Sequence, residues 1–279
     1  MKVSVVHAGL FKLDGGAMFG VVPKKMWSKV IDSDVNNMVT WATRSILIEQ
    51  GDRKILVDTG IGTKQDAKFR SHFEPHGDMD LLSSLKEQHI APEEITDVFL
   101  THLHFDHVGG AVYRDEKGEL KNTFPNATYW TNEKHWNWAM EPNMRERASF
   151  LKENFVPLQT SGKLQFIDVQ RDPVQWMDNL SVQFTYGHTE AMMILHAQTD
   201  RGNLVFCADL LPSVHHIGLP YVMSYDIRPL NSLEEKAALA SGALEGKWNL
   251  FLEHDAQNEV CTVKKNEKGR IVIDQIFDW

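Results

Sequence analysis

Short apolar runs that end in a histidine or an aspartate recur along this chain. Ile55-Leu56-Val57 leads into Asp58, Val98-Phe99-Leu100 into His102, and Leu180 to Phe184 into His188. Leu204 to Ala208 leads into Asp209, and Leu250-Phe251-Leu252 into His254. Runs of this kind, bounded by turn-forming residues, predict strands. Further strands are expected at 2–7, at 43–49 and 54–57 around the hairpin turn Gln50-Gly51-Asp52-Arg53, at 97–100, and as a pair within 259–277 around Asn266 to Gly269. The stretch 162–207 reads as mostly β, with Thr199 to Asn203 as a turn. Helical spacing is confined to fewer places. Leu81, Leu82, Leu85 and His89 share a helical face, and Pro92-Glu93-Glu94 opens a short turn of helix. Residues 131–154 carry two helical patterns separated by Glu141-Pro142-Asn143, the first holding His135, Trp136 and Trp138. A helix over 232–244 is expected, with Asn231-Ser232 as its cap and Glu234-Glu235 in its first turn. Residues 9–37 show no clean period. With no repeat, low-complexity run or Pro/Ser linker, 1–279 reads as a single domain of mixed α and β content.

The chemistry concentrates at one of these strand ends. Residues 102–107 read His-Leu-His-Phe-Asp-His and are followed by Gly109-Gly110. Imidazole is a common zinc ligand, and carboxylate oxygens complete mixed N/O sites. The i, i+2 spacing of His102 and His104 suits an extended chain rounding a turn, and Asp106-His107 can then face a second position nearby. One metal rarely uses four such closely spaced side chains, whereas two metals sharing a loop use them well. A lone His or Asp at a strand end is more often structural. The ordered set is the signal, because strand ends along one sheet edge are where α/β proteins build sites. No Gly-x-Ser-x-Gly and no Cys/His signature competes with it.

The order Asp-Thr-Gly, His-x-His-x-Asp-His, Gly-His-Thr, Ala-Asp and a late His, from about Thr43 to His254, resembles the metallo-β-lactamase superfamily of hydrolases. The resemblance implies an α+β fold, the four-layer αβ/βα sandwich. It implies two divalent metal ions, zinc by preference. His102, His104 and His188 would hold one, and Asp106, His107 and His254 the other. Asp209 would be shared by both, and Asp58 would support the site from outside the ligands. Asp106 and Asp209 are the expected catalytic carboxylates. His104 stands where a di-iron redox relative carries Glu, which favours hydrolysis. Asp209 and the N-terminal segments Leu13 to Gly16 and Met18 to Lys24 resemble the lactonase and organophosphate-hydrolase branch, which includes quorum-quenching N-acyl-homoserine lactonases. Those lactonases often place a Tyr a few residues after the shared Asp. Here Leu210-Leu211-Pro212-Ser213 follows, with no Tyr until Tyr221. The implied activity is a dinuclear zinc-dependent hydrolase in which a metal-bound hydroxide attacks a lactone or related ester carbonyl. The competing readings are a phosphotriesterase or aryl esterase on the same site, a redox di-iron protein, and a non-catalytic scaffold.

Composition narrows the partners. Lys and Arg number 29 against 38 Asp and Glu, for a formal charge of −9, which opposes nucleic-acid binding. No stretch is long and apolar enough for a membrane span, and the start lacks the apolar core of a secretory signal, so a cytoplasmic enzyme is expected. Cys207 and Cys261 form neither a disulfide framework nor a metal motif, and Cys207 reads as a small buried residue. The resemblance implies a small-molecule ester or lactone as the partner. Phe11, Met18, Phe19, Met26 and Trp27, with Trp136, Trp138 and Met140, are candidates for an apolar lip, and His215 for a donor to a carbonyl. Residues 9–37 are also a candidate surface for a homodimer.

Overall fold

The computed structural model describes residues 1–169 and 172–279. The chain divides into two compact units, Met1–Leu10 with Thr43–Arg171, and Phe11–Ala42 with Asp172–Trp279.

The first unit carries most of a six-stranded sheet, in the order Lys2–Asp14, Met38–Gln50, Arg53–Val57, Asp97–Phe99, Thr128–Thr131, Leu164–Phe166. Met38–Gln50 and Arg53–Val57 form the expected hairpin, and the next three pairings are parallel. In that register Val57 lies opposite Phe99, and Phe99 opposite Trp130. Asp58 and the histidine loop therefore leave the sheet at the same edge. The strand that delivers the loop is only Asp97–Phe99, and Val98, Phe99 and Leu100 are fully buried. Its first residue is a buried carboxylate. Asp97 accepts from Arg53 Nη1 at 3.1 and 2.9 Å, Trp130 Nε1 at 2.9 Å and Thr96 Oγ1 at 2.7 Å, which offsets the cost of burying its charge.

The second unit carries a seven-stranded sheet, in the order Ile271–Phe277, Val260–Lys265, Asn249–Phe251, Gly202–Phe206, Met192–Thr199, Leu180–Thr185, Val174–Met177. Gly202–Phe206 and Asn249–Phe251 run parallel, with Phe206 opposite Phe251 and their rings stacked at 5.3 Å. Leu180–Thr185 and Gly202–Phe206 both lie antiparallel to Met192–Thr199. The C-terminal ends of Leu180–Thr185, Gly202–Phe206 and Asn249–Phe251 therefore share one edge, and His188, Asp209 and His254 all follow it. Cys207 and Cys261 are buried free thiols.

Several elements differ from the sequence reading. The first strand runs to Asp14, whose side chain then accepts from Ala17 N–H and caps the short helix Gly15–Phe19. The second helical pattern within 131–154 begins later, as Lys152–Thr160. The chain before it is held in turns, in which Asn143 Oδ1 accepts from Arg145 and Glu146 N–H. The last long helix is Pro229–Gly246, capped at Arg228 rather than Asn231-Ser232. Proline fits its first turn because no N–H is needed there. Glu235 does not serve that helix end. It accepts Tyr186 N–H at 2.7 Å and Gly187 N–H at 3.0 Å, fixing the turn before His188. A Cβ on Gly187 would lie 2.2 Å from Ser232 Oγ, so only glycine lets the helix pack there. The expected β block 162–207 includes residues 170 and 171, which lie outside the described residues. Among the described residues no helix is long and apolar enough to cross a membrane.

His196 makes acid a specific threat to the second unit. Its ring meets Trp248 edge-on at 5.0 Å, with Nε2 3.2 Å from Gln183 Oε1. Burial lowers its pKa to about 4. The unfolded chain binds this proton more readily, so the residue's contribution is full above its ordinary value of 6.5 and fades as pH falls toward about 4. Denaturant unfolding of metal-free protein at stepped pH values should show this loss, and His196→Phe should flatten the slope in that window. Identical slopes for the two proteins would show that His196 does not carry the effect.

Candidate metal centre

In the first unit, Asp58 has φ of +56°, a left-handed conformation that Asp tolerates better than most residues. The turn aims its carboxylate at the histidine loop. Oδ1 accepts Thr101 N–H at 2.8 Å, and Oδ2 accepts Thr101 Oγ1–H at 2.6 Å and lies 3.0 Å from His107 Nδ1. The short helix Phe105–Val108 carries Asp106 and His107, with Asp106 Oδ2 3.8 Å from His107 Nε2. Behind it, a Cβ on Gly109 would lie 2.0 Å from the Ile61 carbonyl, which explains the glycine after the motif. His102 Nε2 and His104 Nδ1 face one another at 3.0 Å. Two nitrogens each roughly 2 Å from one tetrahedral cation would be about 3.3 Å apart, so this pair fits a shared ion. His102 Nδ1 meets Thr101 Oγ1 at 3.0 Å, and His135 Nε2 accepts Leu103 N–H at 2.8 Å, fixing the backbone between the two histidines.

In the second unit, Asp209 follows Ala208, whose φ is +43°, on a single 3-10 turn, Ala208–Leu210. Its two oxygens face different imidazoles: Oδ2 is 3.0 Å from His188 Nε2, and Oδ1 is 2.8 Å from His254 Nε2. Each ring is tied on its far side. His188 Nδ1 is 2.9 Å from Asp226 Oδ1, and His254 Nδ1 is 2.7 Å from the Ala42 carbonyl. Burial alone would lower the His188 pKa, but the Asp209 carboxylate, with Asp226 behind it, overrides this and raises it to about 10. A divalent cation at Nε2 would compete with that proton.

The donor chemistry of both sets fits divalent metal ions. His102 with His104, Asp106 with His107, and His188 with Asp209 each offer buried nitrogen or carboxylate donors within 4.8 Å of one another. Imidazole and carboxylate with no thiolate is a donor set that zinc accepts.

The residues expected to form an apolar lip are mostly interior. Met18, Phe19 and Trp27 are buried, and Phe19 stacks between His216 at 4.8 Å and Trp27 at 5.3 Å. His216 Nε2 is 3.0 Å from the Met18 carbonyl, and burial lowers the His216 pKa to about 3. Phe11 is buried with its ring 5.7 Å from that of His254. Trp136 is buried edge-on to Phe155 at 5.4 Å. His215 is half-buried and lines a cavity of about 530 Å³ with Trp41, Lys12 and Asp255. Tyr221 lines a cavity of about 10 Å³ that Asp209 also lines.

Three groups were not anticipated. Asp226 and Glu146 lie far in sequence from the histidines they approach. Phe69, Phe73 and Phe105 form an aromatic cluster with centroid separations of 4.4–5.1 Å, and Phe105 is the residue between His104 and Asp106. The Phe69-x-x-x-Phe73 spacing is a helical signal that was legible in the sequence.

Comparison with known proteins gives a consistent answer. Residues 39–240 match the family model of the metallo-beta-lactamase superfamily. No curated protein matches the chain. Among solved structures, a probable metal-dependent hydrolase from Staphylococcus aureus is similar, with 26% identity, 99% of this chain and 95% of that chain covered, and a TM-score of 0.87. AidC, a dizinc quorum-quenching lactonase solved with a homoserine product, shares 17% identity, with the same coverage and a TM-score of 0.78. The hydrolase AbOPH of the beta lactamase superfamily shares 19% identity over 99% of this chain and 94% of that chain, with a TM-score of 0.79.

The pairing of His188 with two carboxylates has a direct readout. In metal-free protein its imidazole should stay protonated until about pH 10, and Asp226→Asn should bring the transition down. Because the folded-state pKa is raised, the associated stability is full below the ordinary 6.5 and fades as pH climbs toward about 10. Nitrogen-15 NMR of labelled histidine follows the ring directly. A His188 that titrates near 6.5 in the wild type would contradict the electrostatic reading.

Proposed function

This chain belongs to the metallo-β-lactamase superfamily and is a hydrolase; from that premise we propose that it is a two-metal hydrolase of lactones or related esters. His102, His104 and His188 would hold one cation, Asp106, His107 and His254 the other, with Asp209 shared. The observation that carries this reading is Asp209, whose two oxygens each engage a different imidazole at 3.0 and 2.8 Å. Zinc is the preferred ion for these donors. Once bound, two such cations would polarise the substrate carbonyl and lower the pKa of water to about 7.

The remaining work falls to the chain itself. Asp58, Asp226 and the Ala42 carbonyl hold one nitrogen each of His107, His188 and His254, so the other nitrogen of each ring is available as a donor. Asp106 would be a ligand first, and would also help relay a proton during turnover. Phe105, with Phe69 and Phe73, gives an apolar surface beside His104 and Asp106, suited to an acyl or aryl group. The lactonase AidC supports a lactone, and an aryl phosphotriester is the second reading because the same donor set would serve a phosphoryl centre.

Elemental analysis of reconstituted protein should approach two metal equivalents per chain. Asp209→Ala should lose both metal and most activity, whereas Asp58→Ala should cost about 10–100-fold, as removal of an outer partner typically does. A long-chain homoserine lactone, a γ-lactone, an aryl acetate and an aryl phosphotriester should be compared on one metal-loaded preparation, with lactones turned over fastest. Phosphotriester turnover without lactone turnover would reverse the order. A stable single equivalent, with Asp209→Ala fully active, would remove the two-metal reading.

A further inference from the structure

We propose that Glu146 is a positioning residue for His104: its buried carboxylate holds the Nε2 side of that imidazole and leaves Nδ1 as the donor to the cation. The inference rests on the reading of His104 as a ligand. It begins from burial, because Glu146 is only 3% exposed, and a carboxylate taken out of water needs compensating partners. Oε2 accepts Trp138 Nε1–H at 2.8 Å and a hydrogen bond from Asn143 Nδ2. Oε1 lies 3.6 Å from His104 Nε2. A carboxylate suits the far side of an imidazole whose other nitrogen faces a cation, since cation binding makes the distal N–H a stronger donor.

The loop is built around His104. Phe105 N–H donates to the Ser149 carbonyl at 2.9 Å, and Ser149 N–H to the Glu146 carbonyl at 2.8 Å. The Phe150 ring lies 4.7 Å from the His104 ring. The same division of nitrogens holds at His107, His188 and His254, where one faces an outer acceptor. His104 Nδ1, 3.0 Å from His102 Nε2, faces inward, and its Nε2 faces Glu146.

Three variants separate positioning from stapling: Glu146→Ala, Glu146→Gln and Trp138→Phe. Each is loaded with zinc and titrated with a competing chelator, and folding is checked by near-UV circular dichroism. Glu146→Ala should weaken one of the two zinc equivalents by about 10–100-fold, with Glu146→Gln intermediate and Trp138→Phe within about twofold of wild type. Nitrogen-15 shifts of the zinc-loaded wild type should show His104 metallated at Nδ1 and protonated at Nε2. That measurement stands even if Glu146→Ala fails to fold. The opposite assignment at His104 overturns the inference, as does wild-type affinity in both Glu146 variants. Loss in Trp138→Phe as large as in Glu146→Ala reduces Glu146 to a staple and also overturns it. Wild-type protein that binds no zinc overturns the ligand reading itself, and this inference with it.

Discussion

An imidazole has two nitrogens, and a ligand ring presents the right one only if something else occupies the other. That constraint organises much of this chain. His107 is set by Asp58, His188 by Asp226 and His254 by the Ala42 carbonyl. Two of these acceptors are themselves held. Asp58 is committed to Thr101 through both oxygens, from a left-handed backbone position that the surrounding packing must maintain. Ala42 and His254 are joined twice, because Ala42 N–H also donates to the His254 carbonyl at 3.1 Å. The sheets contribute register. Parallel pairing levels the ends of Arg53–Val57 and Asp97–Phe99 in one unit, and of Gly202–Phe206 and Asn249–Phe251 in the other. A shift of one residue would separate His107 from Asp58 in the first pair, and His254 from Asp209 in the second.

The strand ends and the histidine loop were legible in the sequence because their signals are local. An apolar run, a turn residue and a His or Asp lie within a few positions, and the shortness of the run with its bounding turn residues identifies the strand. Family resemblance then supplied the α+β fold, which the match over residues 39–240 supports. Asp226 and Glu146 carry no such signal. Asp226 acts on a histidine 38 positions away, and Glu146 sits in a turn whose local pattern resembles helix. The start of the last helix was misplaced for a related reason. Asn231-Ser232 is an adequate cap locally, but Pro229 can begin the helix earlier, and Glu235 is drawn to the turn before His188. Tertiary contact decided each of these cases.

The aromatic residues of the N-terminal segment show how composition can mislead. Phe19 and Trp27 suggested a lip because a segment without period and rich in large apolar groups is unusual on a surface. In the fold they are interior, and they brace the stretch that follows Asp209. Phe19 stacks on His216, and a Cβ on Gly20 would lie 2.2 Å from the Val222 carbonyl. Lys236 reinforces the same stretch, donating to the carbonyls of His216, Gly218 and Tyr221 at 2.9, 3.0 and 2.7 Å. Burial lowers its pKa to about 8, yet three carbonyl acceptors suit an ammonium group.

Rigidity around the donors and freedom around the substrate follow from different requirements. A carboxylate that serves two imidazoles tolerates little displacement, since movement toward one weakens its contact with the other. Asp209 is therefore set on a strained turn, with interior aromatics and a buried lysine bracing the chain after it. Selection of an acyl or aryl group needs only an apolar surface of suitable shape. On the proposed reading Phe69 and Phe73 would supply that from a short helix, Ala67–Phe73, none of whose residues is fully buried. Substitutions there would leave the outer acceptors of the histidines untouched. One donor set would accordingly serve lactones or phosphotriesters, and the choice between them would be set by this helix and its neighbours rather than by the strand ends.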